Sequence, residues 1–170
     1  MRWRLLVASL ATVAVVGVDA HAAAPAAVRL DGVRSQHATF NGELSGASGA
    51  APYGFSVNGQ PQGSCQAPSC DKVTLTLGLP RAGAAGGLLV TAGTNETNTG
   101  LILRLFDGQG RQLAVADHGG GAIGASTDPS EPNQFSYLKY ELQRGTYVLW
   151  IQNTGGLAPY KADVYWQLKR

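Results

Sequence analysis

Short runs of alternating apolar and polar residues, separated by Gly, Pro, Asn and Asp, recur along the chain after residue 36. A period of two is typical of a half-buried β-strand, and the 3.6-residue period of a helix is almost absent. The runs predict nine strands, at 37–44, 53–57, 72–79, 87–93, 101–107, 111–117, 134–142, 145–153 and 160–168. Many short strands without helices indicate an all-β protein, folded as an antiparallel β-sandwich of about eight to nine strands.

The alternation also assigns a face to each side chain, because neighbouring residues of a strand point to opposite sides of a sheet. The predicted inward positions are Val73, Leu75, Leu77, Leu101, Leu103, Leu105, Tyr147, Leu149, Ile151, Tyr160, Ala162, Val164, Trp166 and Leu168. The same phase turns Arg104 outward. We therefore expect these inward side chains, Trp166 included, to form the core.

The N-terminal residues have the features of a secretory signal peptide. The basic "MRWR" precedes the apolar "LLVASLATVAVVGV", and "AHA" at 20–22 supplies the small residues of a cleavage site. We predict a signal peptide at 1–22, a linker at 23–35 and one β-sandwich domain at 36–170. The alternative is an uncleaved N-terminal anchor. No later apolar run is long enough to span a bilayer, so we expect a secreted, extracellular protein without membrane contact after cleavage.

The charge of the predicted mature chain is close to balanced. The 13 basic and 11 acidic residues fall to 11 and 10 when Arg2, Arg4 and Asp19 leave with the signal peptide. There is no basic cluster either, so nucleic acid and anionic membranes are not expected as partners. We expect a monomer.

Two cysteines, Cys65 and Cys70, lie in "GSCQAPSCD". An even pair in an exported chain predicts a disulfide that closes a short loop. A zinc site is the alternative, but it needs two more ligands, and His37 and His118 are the remaining histidines of the mature chain.

The segment "RLFDGQGRQLAVADHGGG", residues 104–121, allows three interpretations. Asp-Gly followed by another Gly, between two alternating strands, predicts a β-hairpin. An EF-hand calcium loop needs Asp or Asn at alternate positions and Glu at position 12, and it is excluded because Gln109, Arg111 and Leu113 follow Asp107 at the alternate positions. "DHGGG" resembles a lipase oxyanion loop, but "GASGA" at 46–50 does not match the nucleophile elbow that such a loop requires.

Other patterns give no firm chemistry. A Ser-His-Asp triad is a geometry rather than a composition, so catalysis is not expected from the inventory alone. We predict no cofactor. The alternative is calcium bound by Asp117, Asp128, Glu131 and Asn133 around the loop at 125–133.

Exposed aromatic residues are the better indication of function. The strand phase turns Trp150 outward, and it does the same for Tyr165 in the next strand. If the two strands form a hairpin, both rings lie on one sheet face beside Lys161 and Asp163. Exposed aromatic rings stack on sugars and on peptide groups, so we predict a binding face made of these four residues. The alternative is that a loop covers Trp150.

"LQRGTY" at 142–147 has a separate structural meaning. A tyrosine just after a glycine-containing corner fits the tyrosine-corner device, in which the hydroxyl bonds to backbone a few residues upstream. Tyr147 is therefore expected to tie the exit of one sheet to the entry of the other.

Several of these stretches carry a family likeness, over about residues 54–168. "CDKVTLTL", "LILRLFDGQGRQLAVAD", "YELQRGTYVLWIQN" and "YKADVYWQL" resemble the bacterial pre-peptidase C-terminal domain, which includes collagen-binding modules. The matching positions are Cys70, Asp71, Leu105, Phe106, Asp107, Gly110, Leu142, Gly145, Thr146 and Tyr147. The resemblance implies a jelly-roll-like sandwich and a non-catalytic accessory module for an extracellular enzyme. The acidic calcium segment of some members is not evident, since only Asp31 and Glu43 lie in that region.

These observations predict a secreted binding module, not an enzyme, that attaches to an extracellular polysaccharide or protein polymer. The alternative is a separate-chain chaperone or inhibitor of a secreted peptidase or other hydrolase.

Overall fold

The computed structural model describes residues 23–30, 35–49, 64–78, 85–96, 99–117 and 134–168. These ranges contain no helix, and hence none that could cross a membrane. The strands are β1 (Ala27–Leu30), β2 (Gln36–Ser45), β3 (Cys70–Leu77), β4 (Ala85–Thr94), β5 (Leu101–Phe106), β6 (Gln112–Asp117), β7 (Gln134–Gln143), β8 (Gly145–Asn153) and β9 (Leu157–Leu168). The predicted signal peptide lies outside the described residues.

The strands form two sheets that pack as a β-sandwich. Sheet A has the order β1-β3-β8-β5-β6, and sheet B has the order β2-β9-β4-β7. Every pairing is antiparallel except that of β1 with β3. The predicted fold class is therefore confirmed. Eight of the nine predicted strands are present with ends within three residues of the prediction, and the ninth, at 53–57, lies outside the described residues.

Part of the predicted linker is a strand. Residues 27–30 form β1, which pairs in parallel with β3 along the edge of sheet A. The strand forms because Val28 and Leu30 both point into the core, where they are buried, while Ala27 and Arg29 stay exposed. Four residues are too short a run for the alternation to be recognised in an Ala/Pro-rich segment.

The core lies between the two sheets and includes the predicted inward positions that the structure describes, with Tyr147 only partly buried against it. Leu75 and Leu149 in sheet A face Val164 and Trp166 in sheet B, and all four are at most 1% exposed. Burial of each aliphatic side chain of this size stabilises the fold by about 1.5–3 kcal/mol relative to exposure. The side chain of Leu168 lies outside the described part of the structure.

Arg104 is on the outer face of sheet A, as predicted, but it is not exposed to solvent. Its side chain is 0% exposed. The guanidinium donates from Nε to Gln152 Oε1 at 2.7 Å and from Nη1 to Gln112 Oε1 at 3.0 Å. Gln152 in turn donates to the carbonyl of Ser64 at 3.1 Å, so the segment that contains the disulfide lies against this end of the sheet. A period of two assigns the face of a sheet but not whether another segment covers it.

The disulfide between Cys65 and Cys70 is present, as predicted. Both cysteines are buried, and Cys70 is the first residue of β3. The bond therefore ties the segment over Gln152 to the start of a central strand.

The turn at 107–110 joins β5 and β6 as the predicted hairpin. Gly110 donates its N–H to the carbonyl of Asp107 at 3.0 Å and has φ +80°, a conformation that glycine adopts without strain. The Asp107 carboxylate accepts from the N–H groups of Gln109 and Arg111, both at 2.9 Å. A carboxylate that caps two backbone donors fixes the turn, which explains why Asp stands first.

Two tyrosine hydroxyls connect the sheets. Tyr147, at the start of β8, donates to the carbonyl of Gln143 at the end of β7 at 3.0 Å, as the tyrosine corner predicts. Tyr160 of β9 donates to Asp71 Oδ2 of β3 at 2.6 Å. Burial raises the pKa of Tyr160, and the bond to Asp71 raises it further, so this phenol stays protonated and remains a donor.

Two adjacent glycines of β4 differ in the space around them, and this predicts opposite tolerance to substitution. A Cβ on Gly86 would lie 2.3 Å from Cζ2 of Trp166, which is buried, and 2.8 Å from the carbonyl of Gln167. A Cβ on Gly87 would meet only that carbonyl, at 4.0 Å. We expect Gly86→Ala to lower the free energy of unfolding by about 1–3 kcal/mol through overpacking.

We expect Gly87→Ala to change the free energy of unfolding by less than about 0.5 kcal/mol. Urea denaturation of the two variants and the parent chain measures both values. Equal midpoints for the two variants would contradict the packing of Trp166 against Gly86.

Candidate functional sites

The predicted binding face is divided between the two sides of the sandwich. Trp150 lies on β8 in sheet A, whereas Tyr165, Lys161 and Asp163 lie on β9 in sheet B. The prediction that Trp150 shares a face with the other three is therefore wrong. The physical reason is the connection between the strands, which crosses from one sheet to the other instead of forming a hairpin.

Asn153 holds this crossing in place. Residue 153 ends β8 and is buried, and its Nδ2 donates to the carbonyl of Gly156 at 2.9 Å. Its Oδ1 accepts from the N–H of Gly155 at 3.2 Å and from Thr99 Oγ1 at 2.6 Å. A side-chain amide with both its nitrogen and its oxygen hydrogen-bonded thus directs the chain away from sheet A immediately after β8 ends at Asn153.

Trp150 is half-buried, so neither of the two predicted alternatives describes it completely. Its ring packs on Phe106 with a centroid distance of 4.4 Å, and the Lys72 ammonium lies 5.5 Å from the ring centroid. The remaining surface lines a groove of about 460 Å³ on sheet A, to which Val148 and the turn at 107–110 also contribute. We call this the Trp150 groove.

Tyr165 is exposed on sheet B and is held by its neighbours. It is 41% exposed, and Leu157 is the other large exposed apolar residue in the described ranges. His37 of β2 lies directly opposite, and the two rings stack with centroids 4.2 Å apart and planes within 4°. Two stacked rings restrict each other's rotation, so His37 holds Tyr165 in one orientation.

The His37 ring is fixed in turn by Asp163, which stands two residues before Tyr165 on the same face. His37 Nε2 lies 2.8 Å from Asp163 Oδ1, and Thr39 Oγ1 donates to the same oxygen at 2.5 Å. Lys161 Nζ lies 4.0 Å from Asp163 Oδ2. We call Tyr165, His37, Thr39, Asp163 and Lys161 the Tyr165 platform.

Asp163 is ionised in this platform at neutral pH. Burial by itself would raise its pKa, but the hydrogen bonds from Thr39 and His37 and the charge of Lys161 outweigh that effect and hold the pKa below its ordinary value of 3.8. The ionised carboxylate accepts hydrogen bonds from Thr39 and His37 at Oδ1 and faces the Lys161 ammonium with Oδ2, so it orients these side chains.

The same contacts argue against catalysis by this Thr, His and Asp. In a catalytic triad the carboxylate accepts from one ring nitrogen while the other nitrogen takes the hydroxyl proton. Here Asp163 and Thr39 both lie on the Nε2 side of His37, since Thr39 Oγ1 is 3.1 Å from Nε2. The Thr39 hydroxyl donates to Asp163, so the ring does not act as its base.

A slot lies beside the platform on sheet B, with a volume of about 500 Å³. Leu89 of β4 stands directly between Tyr165 of β9 and Lys139 of β7 in the register, and Gly87 is the next outward position of β4. Because β2 and β4 flank β9 on opposite sides, the face of Tyr165 that His37 leaves uncovered is turned toward this slot. We call it the Tyr165 slot.

Four residues of sheet B that the sequence analysis did not place in the binding face belong to these surfaces: His37, Thr39, Gly87 and Lys139. Their outward phase on alternating strands was the available signal. That β2 and β4 lie on either side of β9 is a long-range pairing, which a single sequence does not reveal.

The predicted calcium ligands are not described: Asp128, Glu131 and Asn133 lie outside the described residues, as do His118 and the side chain of Asp117. Within the ranges that the structure covers, no three His, Cys, Asp or Glu residues lie together as a metal site.

Comparison with known proteins found ten similar chains of solved structures, two of which are described here. No family model and no curated protein matches the chain. The first structure is the pre-peptidase C-terminal domain of a collagenase from Bacillus anthracis, with 15% identity, a TM-score of 0.45, and coverage of 81% of this chain and 93% of that one. The second is the enzymatically active domain of tailspike protein 4 of bacteriophage CBA120, with 13% identity, a TM-score of 0.32, and coverage of 81% and 20%. At these scores neither likeness bears on function.

The depressed pKa of Asp163 predicts a pH dependence of stability. A carboxylate whose pKa is lower in the folded state stabilises that state above its ordinary pKa, and the contribution is lost as the pH falls through the folded-state pKa. We therefore expect the parent chain to be more stable than Asp163→Asn at about pH 5, and this difference to shrink by about pH 2.5. Chemical denaturation at both pH values measures it. A difference that stays constant or grows toward acid would contradict the ion-paired platform.

Proposed function

We propose that this chain is an extracellular, non-catalytic binding module that attaches through the Tyr165 platform to a polymer, with a polysaccharide favoured over a fibrous protein. The supporting observation is that Tyr165 is exposed and yet immobilised. A stacked ring and a hydrogen-bonded carboxylate keep it in one orientation. A ligand that stacks on this ring therefore loses little of its binding free energy to ordering the protein.

Polysaccharides fit this surface because their rings have apolar faces and hydroxyl edges. The open face of Tyr165 supplies the apolar contact, and the Tyr165 slot offers hydrogen-bonding groups beside it from Ser35 and Gln167. An aromatic surface with a few polar groups around it is the usual composition of a ligand site.

The disulfide supports an extracellular location for this activity. Disulfides persist in oxidising compartments and are rare in the cytosol. The bond between Cys65 and Cys70 is thus consistent with the secretion that the N-terminal sequence predicts.

A second candidate is an interaction protein, that is, a separate-chain chaperone or inhibitor of a secreted hydrolase. The observation that favours it is the Trp150 groove on the opposite side of the sandwich, where Trp150, Phe106 and Val148 give an apolar lining. Buried aromatic anchors of this kind are common at protein interfaces.

A depletion assay with insoluble polysaccharides and collagen tests the two candidates. We expect one polysaccharide to remove the chain from solution. Tyr165→Ala is expected to weaken that binding at least about tenfold, because truncation of an interface aromatic commonly costs 2 kcal/mol or more. Tyr165→Phe should bind nearly as well as the parent because it keeps the stacked ring.

Leu157→Ala is the matched control. Leu157 is also exposed on β9, with 53% exposure, but lies eight residues from Tyr165 at the other end of the strand. The Leu157→Ala variant should bind the polysaccharide like the parent chain. Binding that survives Tyr165→Ala, or depletion by none of the polymers, would contradict the proposal. In the second case, co-purification with a hydrolase that is lost in Trp150→Ala would support the interaction protein.

A further inference from the structure

The Tyr165 slot has the dimensions of a site for one sugar ring. Neighbouring strands lie about 4.8 Å apart, so Tyr165 on β9 and Lys139 on β7 rise from strands roughly 9.6 Å apart, with β4 between them. A pyranose ring stacked about 4 Å from the tyrosine ring would lie above Leu89 of β4, with its far face toward Lys139. The walls of the slot thus differ: one is aromatic, and the other carries a primary amine.

The floor of the slot is open at Gly87. A Cβ there would meet the carbonyl of Gln167 at 4.0 Å and nothing closer. Every other outward position of β4 that borders the slot carries a side chain, as Leu89 does. A ligand therefore approaches the backbone of β4 most closely at residue 87. A side chain introduced there would occupy the ligand's position without disturbing the fold.

Lys139 carries the charge of the slot. Among the described residues that line it, Lys139 is the one Lys or Arg, and there is no Asp or Glu. Asp163 lies on the other side of Tyr165, where Thr39, His37 and Lys161 surround it. The nearest acid in the register is Glu141, which is exposed opposite Gly87 on β7 and is not among the described residues that line the slot.

We infer that the Tyr165 slot binds a hexuronate unit of an acidic polysaccharide, with the sugar ring on Tyr165 and its carboxylate on Lys139. This assignment rests on the proposed function, since it names the ligand class for the same platform. The ammonium supplies a charge-assisted hydrogen bond to the carboxylate. The amide of Gln167 and the hydroxyl of Ser35 bind the ring hydroxyls.

The test measures binding of the intact chain to four soluble polymers: polygalacturonate, its methyl ester, a neutral galactan and dextran sulfate. Affinity electrophoresis gives a dissociation constant for each. We expect polygalacturonate to bind at least about tenfold more tightly than its methyl ester, because esterification removes the charge-assisted bond and keeps the ring. Added salt should weaken the binding of polygalacturonate and leave that of the galactan nearly unchanged.

Lys139→Ala is expected to lower the affinity for polygalacturonate to that for its methyl ester and to leave the affinity for galactan unchanged. Lys72→Ala is its matched control, since Lys72 is a lysine on the outer face of the opposite sheet, beside Trp150. That variant should bind all four polymers like the parent. Gly87→Val should weaken the binding of every polymer that enters the slot, while the unfolding midpoint of this variant stays near that of the parent chain.

The outcomes separate this assignment from the proposed function. If polygalacturonate and its ester bind with equal affinity and Tyr165→Ala weakens both, the hexuronate assignment is wrong but binding through the Tyr165 platform still holds. If dextran sulfate binds as tightly as polygalacturonate and loses the same affinity in Lys139→Ala, Lys139 binds anions in general, and the specific recognition of a carboxylate is overturned. If neither Tyr165→Ala nor Gly87→Val weakens binding, both the hexuronate assignment and the proposed function are overturned.

Discussion

Burial of the apolar faces of the two sheets against each other is the interaction on which the rest of this structure depends. Leucine and valine side chains of β3, β5 and β8 meet those of β4, β7 and β9, and Trp166 fills the space that Gly86 leaves open. Because the strand period is two, fixing these inward positions fixes every outward one as well. The exposure of Tyr165 and the half-burial of Trp150 on the outer faces are consequences of core packing rather than separate features.

Polar contacts then determine what the outer faces present. On sheet A, the hydrogen bonds of Arg104 with Gln152 and Gln112 fill one end of the face, and the other end keeps the Trp150 groove. On sheet B, the carboxylate of Asp163 accepts hydrogen bonds from His37 and Thr39 of β2 and so positions His37 against Tyr165. Neither arrangement adds to the core, but each gives its sheet a defined surface.

The sequence predicted what depends on local pattern and missed what depends on long-range pairing. The inward set of β9 and the turn at Asp107 follow from neighbours a few residues apart, and both are confirmed. Whether β8 and β9 share a sheet depends on the buried bonds of Asn153, and no alternation reports these. Trp150 and Tyr165 were therefore placed together when they lie on opposite sides. For the same reason His37, 128 residues before Tyr165 in the chain, was considered only as a zinc ligand.

The most direct test of the central claim, that the Tyr165 platform is the binding face, is an amide NMR titration of the ¹⁵N-labelled chain with soluble oligosaccharides of a polymer that depletes it. The two faces of the sandwich are far enough apart to report separately. We expect shift changes confined to residues 35–39, 87–89, 139 and 163–167, with the signals of 72–74 and 146–150 unmoved. Shift changes centred on Trp150, or spread evenly over both sheets, would contradict it.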